Sequence, residues 1–163
     1  MKRYGITGWK NAGKTGLMER LVTEITARGF TVSTVKHAHH SFDVDHEGRD
    51  SYRHRAAGAA EVLVAGRDRW ALMAELREGG EPSLEVLLAK LSPVDLVLIE
   101  GWKNARHPKI EVWRAETGHP LIAPGDPTIR AVATDGIVEV DCRVIDLNDA
   151  TALADFVLAE VGL

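Results

Sequence analysis

Long apolar runs are missing from this chain of 163 residues. Nothing approaches the roughly 18 consecutive apolar residues that a membrane-spanning helix needs, so no membrane partner is expected and the chain reads as soluble. Cysteine is nearly missing as well. Cys142 stands alone, which excludes an intramolecular disulfide and gives no reason to expect an oxidising compartment. A basic excess is also lacking: the formal net charge is −4 and the pI is near 6.0. Binding to a phosphate backbone normally shows as surplus Lys and Arg, so no nucleic-acid partner is expected. There are no repeats, low-complexity tracts or linker-like segments. One domain over residues 1–163 is therefore expected, of a size that buries roughly 68–70% of its unfolded surface. Strand-forming residues begin within a few positions of Met1, leaving no room for a signal peptide, and the expected location is the cytoplasm.

What is present is organised around Gly8-Trp9-Lys10-Asn11-Ala12-Gly13-Lys14-Thr15, which fits the pattern G-x-x-x-x-G-K-[ST]. Gly8 and Gly13 permit backbone conformations that a Cβ would obstruct, so successive N–H groups can turn inward as an anion-binding nest. Lys14 adds a mobile charge for the β- and γ-phosphates of a nucleotide, and the Thr15 hydroxyl suits the Mg²⁺ that accompanies them. A helix starting at the loop aims its positive dipole end at the same anion. Leu17, Leu21, Val22 and Ile25 recur at helical spacing from there to residue 28, and Gly29 closes the helix.

Residues 30–36 alternate as a second strand. The loop that follows, residues 37–49, holds His37, His39, His40 and His46 together with Asp43, Asp45 and Glu47, with Asp50 next. Imidazole and carboxylate ligate zinc, yet the spacing matches no closed structural site; a loop beside nucleotide or a second substrate, and plain solvated surface, are the other readings. Asp50 is expected to cap a short helix bearing Arg53 and Arg55. With Arg49 these form either an acceptor grip or a charged outer face. Residues 61–65 and 70–74 read as two strands around a polar turn, forming an antiparallel edge. Ser83 is the expected N-cap of a helix carrying Leu84, Leu87, Leu88 and Leu91.

Residues 94–101 are a continuous apolar strand ending in Glu100 and Gly101, the pattern of a central parallel strand. Open α/β sheets bind ligands outside the carboxyl ends of their strands, so Glu100 and the phosphate loop should face one another. A carboxylate there can hold Mg²⁺ or orient an attacking water. Asp95, at the other end of the strand, reads as structural. Further strands are expected over residues 109–114, 129–134, 138–140 and 143–147, and a last helix from Asn148 or Asp149. Asp135, at a strand end near the expected base pocket, is a candidate to accept hydrogen bonds from guanine N1 and N2, although the guanine-reading pattern N-K-x-D is absent. The expected architecture is an α/β phosphate-loop NTPase fold: a mostly parallel sheet flanked by helices, with an antiparallel edge extension.

Several separated stretches agree with one family. The phosphate loop with Gly16-Leu17, the run from Val35 to His40 with Asp43-Val44-Asp45, Gly48-Arg49-Asp50-Ser51, Arg69 to Met73, and Asp95 to Lys103 come in order. Together they resemble the molybdopterin-guanine dinucleotide biosynthesis protein B family, MobB, over almost the whole chain. The resemblance implies a GTP-binding accessory protein with weak GTPase activity. It would assist the guanylyltransferase that attaches GMP to molybdenum-bound molybdopterin, handling molybdopterin-cofactor intermediates as a homodimer. It also implies that Gly8 to Thr15 and Gly16 hold the nucleotide, Thr15 and Glu100 hold Mg²⁺, and residues 37–50 lie near the nucleotide or the pterin. Gly16 replaces a second hydroxyl residue common in the family, and Trp102 stands where Phe or Tyr is usual. Two rivals remain open: a small-molecule kinase gripping its acceptor with Arg49, Arg53 and Arg55, and an adaptor in which turnover is incidental.

Overall fold

The computed structural model describes residues 1–38, 42–77 and 79–163. They form two compact units, one of residues 1–37 and 90–163 and the other of residues 38–89.

The larger unit is a six-stranded parallel sheet. In chain order its elements are β1 (Lys2–Thr7), α1 (Lys14–Ala27), β2 (Val32–Lys36), β5 (Leu96–Glu100), β6 (Lys109–Trp113), β7 (Ile129–Thr134), β8 (Arg143–Asp146) and α4 (Ala150–Val161). The strand order is β2-β5-β1-β6-β7-β8. The β1 register pairs Ile6 with Glu100 and Thr7 with Glu111, so the loop leaving β1 emerges beside the end of β5. Alternation decides the two faces of the sheet. Tyr4, Ile6, Leu96, Leu98, Ile110, Val112, Ala131 and Ala133 all point to one side, where Leu17, Leu21 and Ile25 of α1 and Leu153 and Val157 of α4 complete a single apolar core.

The opposite face has a different cover. Residues 101–108 cross β1 to join β5 to β6, shorter than the dozen or more residues such a crossover normally takes. His107 lies over β1 where Gly5 has no side chain; a Cβ there would come within 2.5 Å of His107 Nε2. This face also buries two ionisable groups, Lys109 and Glu111, at 1% and 0% exposure.

The smaller unit holds α2 (Asp50–Ala56), β3 (Glu61–Ala65), β4 (Trp70–Ala74) and α3 (Leu84–Leu88). The two strands pair antiparallel with the expected limits, as a sheet of their own. Ser83 caps α3 through Val86 N, but Leu91 falls beyond the helix. Asp50 lies inside α2 and not at its cap: Arg49 takes the N-cap position with no side-chain bond, and Asp50 instead pairs with Arg53 at 3.7 Å. In the larger unit, Asp149 caps α4 through Ala152 N. Residues 138–140 form no strand, and β8 takes the ladder place beside β7.

Asp95 has the structural role its position indicates. Its Oδ2 accepts from Thr31 N at 2.8 Å and Thr31 Oγ1 at 2.7 Å, and its own N–H donates to Thr31 Oγ1 at 2.9 Å. These bonds hold its carboxyl below the ordinary carboxylate range. A depressed folded-state value means that the carboxylate's contribution is complete above the unfolded value, near 3.9, and is lost as pH falls through the folded one. Urea unfolding of wild type and Asp95→Ala should therefore show a stability gap that is constant above about pH 5 and narrows below about pH 4.

Candidate functional site

The phosphate loop leaves β1 through Gly8, whose φ is 141°. A Cβ at Gly8 would sit 2.4 Å from the Val112 carbonyl oxygen, so only glycine lets the chain pass β6 here. Asn11 at φ 65° and Gly13 at φ 97° complete the turn, and buried Ala12 pins it to the core. Gly13 is the N-cap of α1 and supplies no side-chain bond. Among the described residues, the backbone N–H groups of Gly13, Lys14, Thr15 and Gly16 find no acceptor, and they gather at the positive end of the helix. Thr15 and Gly16 are exposed there, and the Thr15 hydroxyl makes no hydrogen bond within the described residues. Lys10 and Asn11 border a cleft of about 290 Å³ with Glu116, Thr117 and His119.

Lys14 folds back over the loop, its Nζ donating to the Trp9 carbonyl at 2.6 Å. Burial pushes its ammonium below the usual lysine range; Glu100 opposes that shift, while Lys103 and Lys36 add to it. Glu100 is 9% exposed at the end of β5, and Lys36 Nζ lies 3.6 Å from its Oε1. Gly101 follows at φ 96° and Trp102 at φ 46°; a Cβ on Gly101 would meet His37 Cβ at 2.7 Å. The Trp102 ring stacks on His37, centroids 4.7 Å apart. The chain thus turns sharply as soon as Glu100 has been placed.

Asp135 follows β7 and faces Arg114, which follows β6, with Oδ2 and Nε 3.5 Å apart. The same guanidinium pairs with Glu116 at 3.3 Å and lies 3.5–3.8 Å from where a Cβ on Gly13 would stand. Arg114 thereby connects the phosphate loop with Asp135. Sequence reasoning passed over it, although the strand-end logic applied to Glu100 and Asp135 also selects Arg114 and Lys36. The Trp9 surroundings carried no such signal: its ring stacks on His119 at 5.1 Å, carries Lys103 Nζ 4.4 Å from its centroid, and donates through Nε1 to Pro120 O at 2.7 Å.

The described part of the His and Asp loop is organised around an arginine. His39 and His40 lie outside the described residues, and among the described ones no group of three or more His, Cys, Asp or Glu is placed to hold a metal. Asp43 and Asp45 instead receive Arg55, at 2.8 Å and 3.5 Å, and Glu75 receives its Nε at 2.6 Å. Arg55 is consumed by these bonds, which removes one of the three guanidinia from the acceptor grip of the kinase reading.

A sequence model described as molybdopterin guanine dinucleotide synthesis protein B matches residues 4–135. The molybdopterin-guanine dinucleotide biosynthesis adapter protein of Escherichia coli is 41% identical over 153 residues, covering 92% of this chain and 87% of that one. The protein of the same name from Haemophilus influenzae is 41% identical over 155 residues, covering 94% and 85%. Among solved structures, a MobB homologue from Bacillus stearothermophilus superposes with a TM-score of 0.71 at 29% identity, covering 99% of both chains. A crystal structure of molybdopterin-guanine biosynthesis protein B gives 0.75 at 25%, covering 97% of this chain and 99% of that one. The phosphate-loop fold, the site and these relatives agree, and the chain belongs to the molybdopterin-guanine dinucleotide biosynthesis protein B family.

Proposed function

We propose that the chain binds GTP with Mg²⁺ at the phosphate loop and hydrolyses it slowly. In this reading it assists the guanylyltransferase that attaches GMP to molybdenum-bound molybdopterin. The observation that carries the nucleotide reading is the group of unpartnered N–H donors from Gly13 to Gly16 beside Lys14, with Glu100 at the adjoining strand end. The adapter role in molybdopterin-guanine dinucleotide biosynthesis is supported by the names of the relatives.

The loop's N–H groups bind phosphate oxygens, and Lys14 offers its remaining donors to the β- and γ-phosphates. The unpartnered Thr15 hydroxyl and the Glu100 carboxylate fit Mg²⁺, which when bound neutralises charge on those phosphates. Glu100, held at the strand end beside Lys36, orients water toward the γ-phosphoryl group. An arginine finger is worth about 10³–10⁵ in kcat. Arg114, the guanidinium beside Gly13, is engaged by Asp135 and Glu116, and slow turnover follows. Arg114 also steadies one carboxylate oxygen of Asp135, leaving the other for guanine.

The hairpin supports a homodimer. β3 and β4 leave Leu63, Val64, Trp70 and Leu72 exposed, and an isolated two-stranded sheet is marginal in water.

Calorimetric titration in Mg²⁺ should show tighter binding of GTP than of ATP. Lys14→Ala should weaken GTP binding about 100-fold, since hydrogen bonds to charged groups are worth about 1.5–3 kcal/mol each. Asp135→Ala should retain GTP but cut its advantage over ATP about tenfold; equal affinities in the wild type would overturn the guanine assignment. Glu100→Gln should lower GTP hydrolysis about 100-fold while GTP affinity stays within a few fold. If that variant still supports cofactor maturation, turnover is incidental to the adapter role. Sedimentation should give a dimer for the wild type and a monomer for Trp70→Glu; a wild-type monomer would remove the dimer reading.

A further inference from the structure

On the face opposite α1 and α4, next to the phosphate loop, lies an open cleft of about 460 Å³ whose lining includes Trp9, Lys103, Asn104, Arg106, Ile122 and Asp126. That volume lies within the range of small-molecule sites, roughly 300–1,000 Å³. Its walls are two loops, residues 103–106 and 122–128, and both are fixed from beneath by buried charge. Lys109 Nζ donates to the Ala105 carbonyl and to Thr128 Oγ1, and stands 3.5 Å from Asp126 Oδ2. Glu111 accepts from Ile122 N at 2.9 and 3.0 Å and from Ala123 N at 2.8 Å. Burying a lysine and a glutamate is costly unless each is paired and hydrogen-bonded. Here the bonds that satisfy them set the positions of Ala105, Ile122, Asp126 and Thr128, all of which line the cleft.

The charge in the cleft is positive. Asp126 is matched by Lys109 and by Thr128, whose N–H and hydroxyl donate to it at 2.9 and 2.6 Å. Lys103 holds its Nζ 4.4 Å from the centroid of the Trp9 ring and lies within electrostatic reach of Glu111. Arg106 is exposed and, among the described residues, makes no hydrogen bond or ion pair; the Asn104 side chain makes none either. Two cations, an amide and an indole on a fixed floor suit a planar organic molecule carrying a phosphate, because a guanidinium fork matches phosphate oxygens and a ring can lie against Ile122 beside the Trp9 indole.

We propose that this cleft is a second binding site, for a small aromatic phosphate monoester, separate from the nucleotide site and joined to it through Trp9. That residue has its carbonyl on Lys14 and its ring in the cleft. The site stands on the cleft's own residues and does not require the nucleotide reading.

Phenyl phosphate serves as the probe, titrated by calorimetry into the full chain with NMR mapping of amide and indole signals. Wild type and Lys14→Ala should bind it alike, with shifts at the Trp9 indole and at residues 104–106. Arg106→Ala and Lys103→Ala should each weaken it about tenfold or more, and inorganic phosphate should bind more weakly than phenyl phosphate. Arg106→Ala, an exposed change, should leave GTP affinity within about twofold. Loss of phenyl phosphate in Lys14→Ala, indifference to Arg106→Ala, no binding to wild type, or inorganic phosphate binding equally well would each overturn the proposal. Failure of GTP to bind alongside Arg106-dependent phenyl phosphate binding would overturn the nucleotide reading and leave the cleft standing.

Discussion

The missing side chain at Gly5 is the constraint on which one whole face of the sheet depends. Because β1 presents only a hydrogen there, His107 can lie on the strand, and the chain can pass from β5 to β6 in a short loop where a parallel crossover normally needs a helix. The loop in turn begins at Gly101 and Trp102, directly after Glu100, so the carboxylate and the crossover are set by the same few residues. A larger residue at position 5 would lift His107, and with it the carbonyl of Ala105 that satisfies buried Lys109. Backbone space, buried charge and the placing of Glu100 are one problem here.

The two faces solve burial differently. The α1 and α4 face is an ordinary apolar core, in which the strands contribute alternate residues and the helices a stripe. The other face places ionisable groups at Lys109 and Glu111, and loop carbonyls and N–H groups meet them. An apolar face packs against whatever is apolar and of suitable volume, whereas these buried charges each accept partners only at defined positions. These bonds fix where the two loops meet the sheet.

Much of this was legible in the sequence for local reasons. Alternation and β-branching located β3, β4 and β7 to the residue, the apolar run located β5, and Ser83 and Asp149 announced their helices. The phosphate loop was legible because its chemistry permits few residue types at each position. The features that escaped are set by distant partners. Arg114 and Asp135 meet only because β6 and β7 are neighbours, and Arg55 meets Asp43 and Glu75 only once its unit has folded. Residues 138–140 have the composition of a strand, yet composition does not reveal that β8 takes the ladder place beside β7. Nor does anything local in Ile-Glu-Val mark Glu111 as an anchor for a loop eleven residues on.

The bond from Lys14 to the Trp9 carbonyl changes what binding at the loop means. The lysine spends one of its three N–H donors on this carbonyl, which holds the ammonium over the loop and leaves two donors to offer. That carbonyl belongs to the residue whose indole is stacked on His119 and covered by Lys103. One residue thus joins the lysine of the phosphate loop, through its backbone, to an aromatic and cationic cluster, through its side chain.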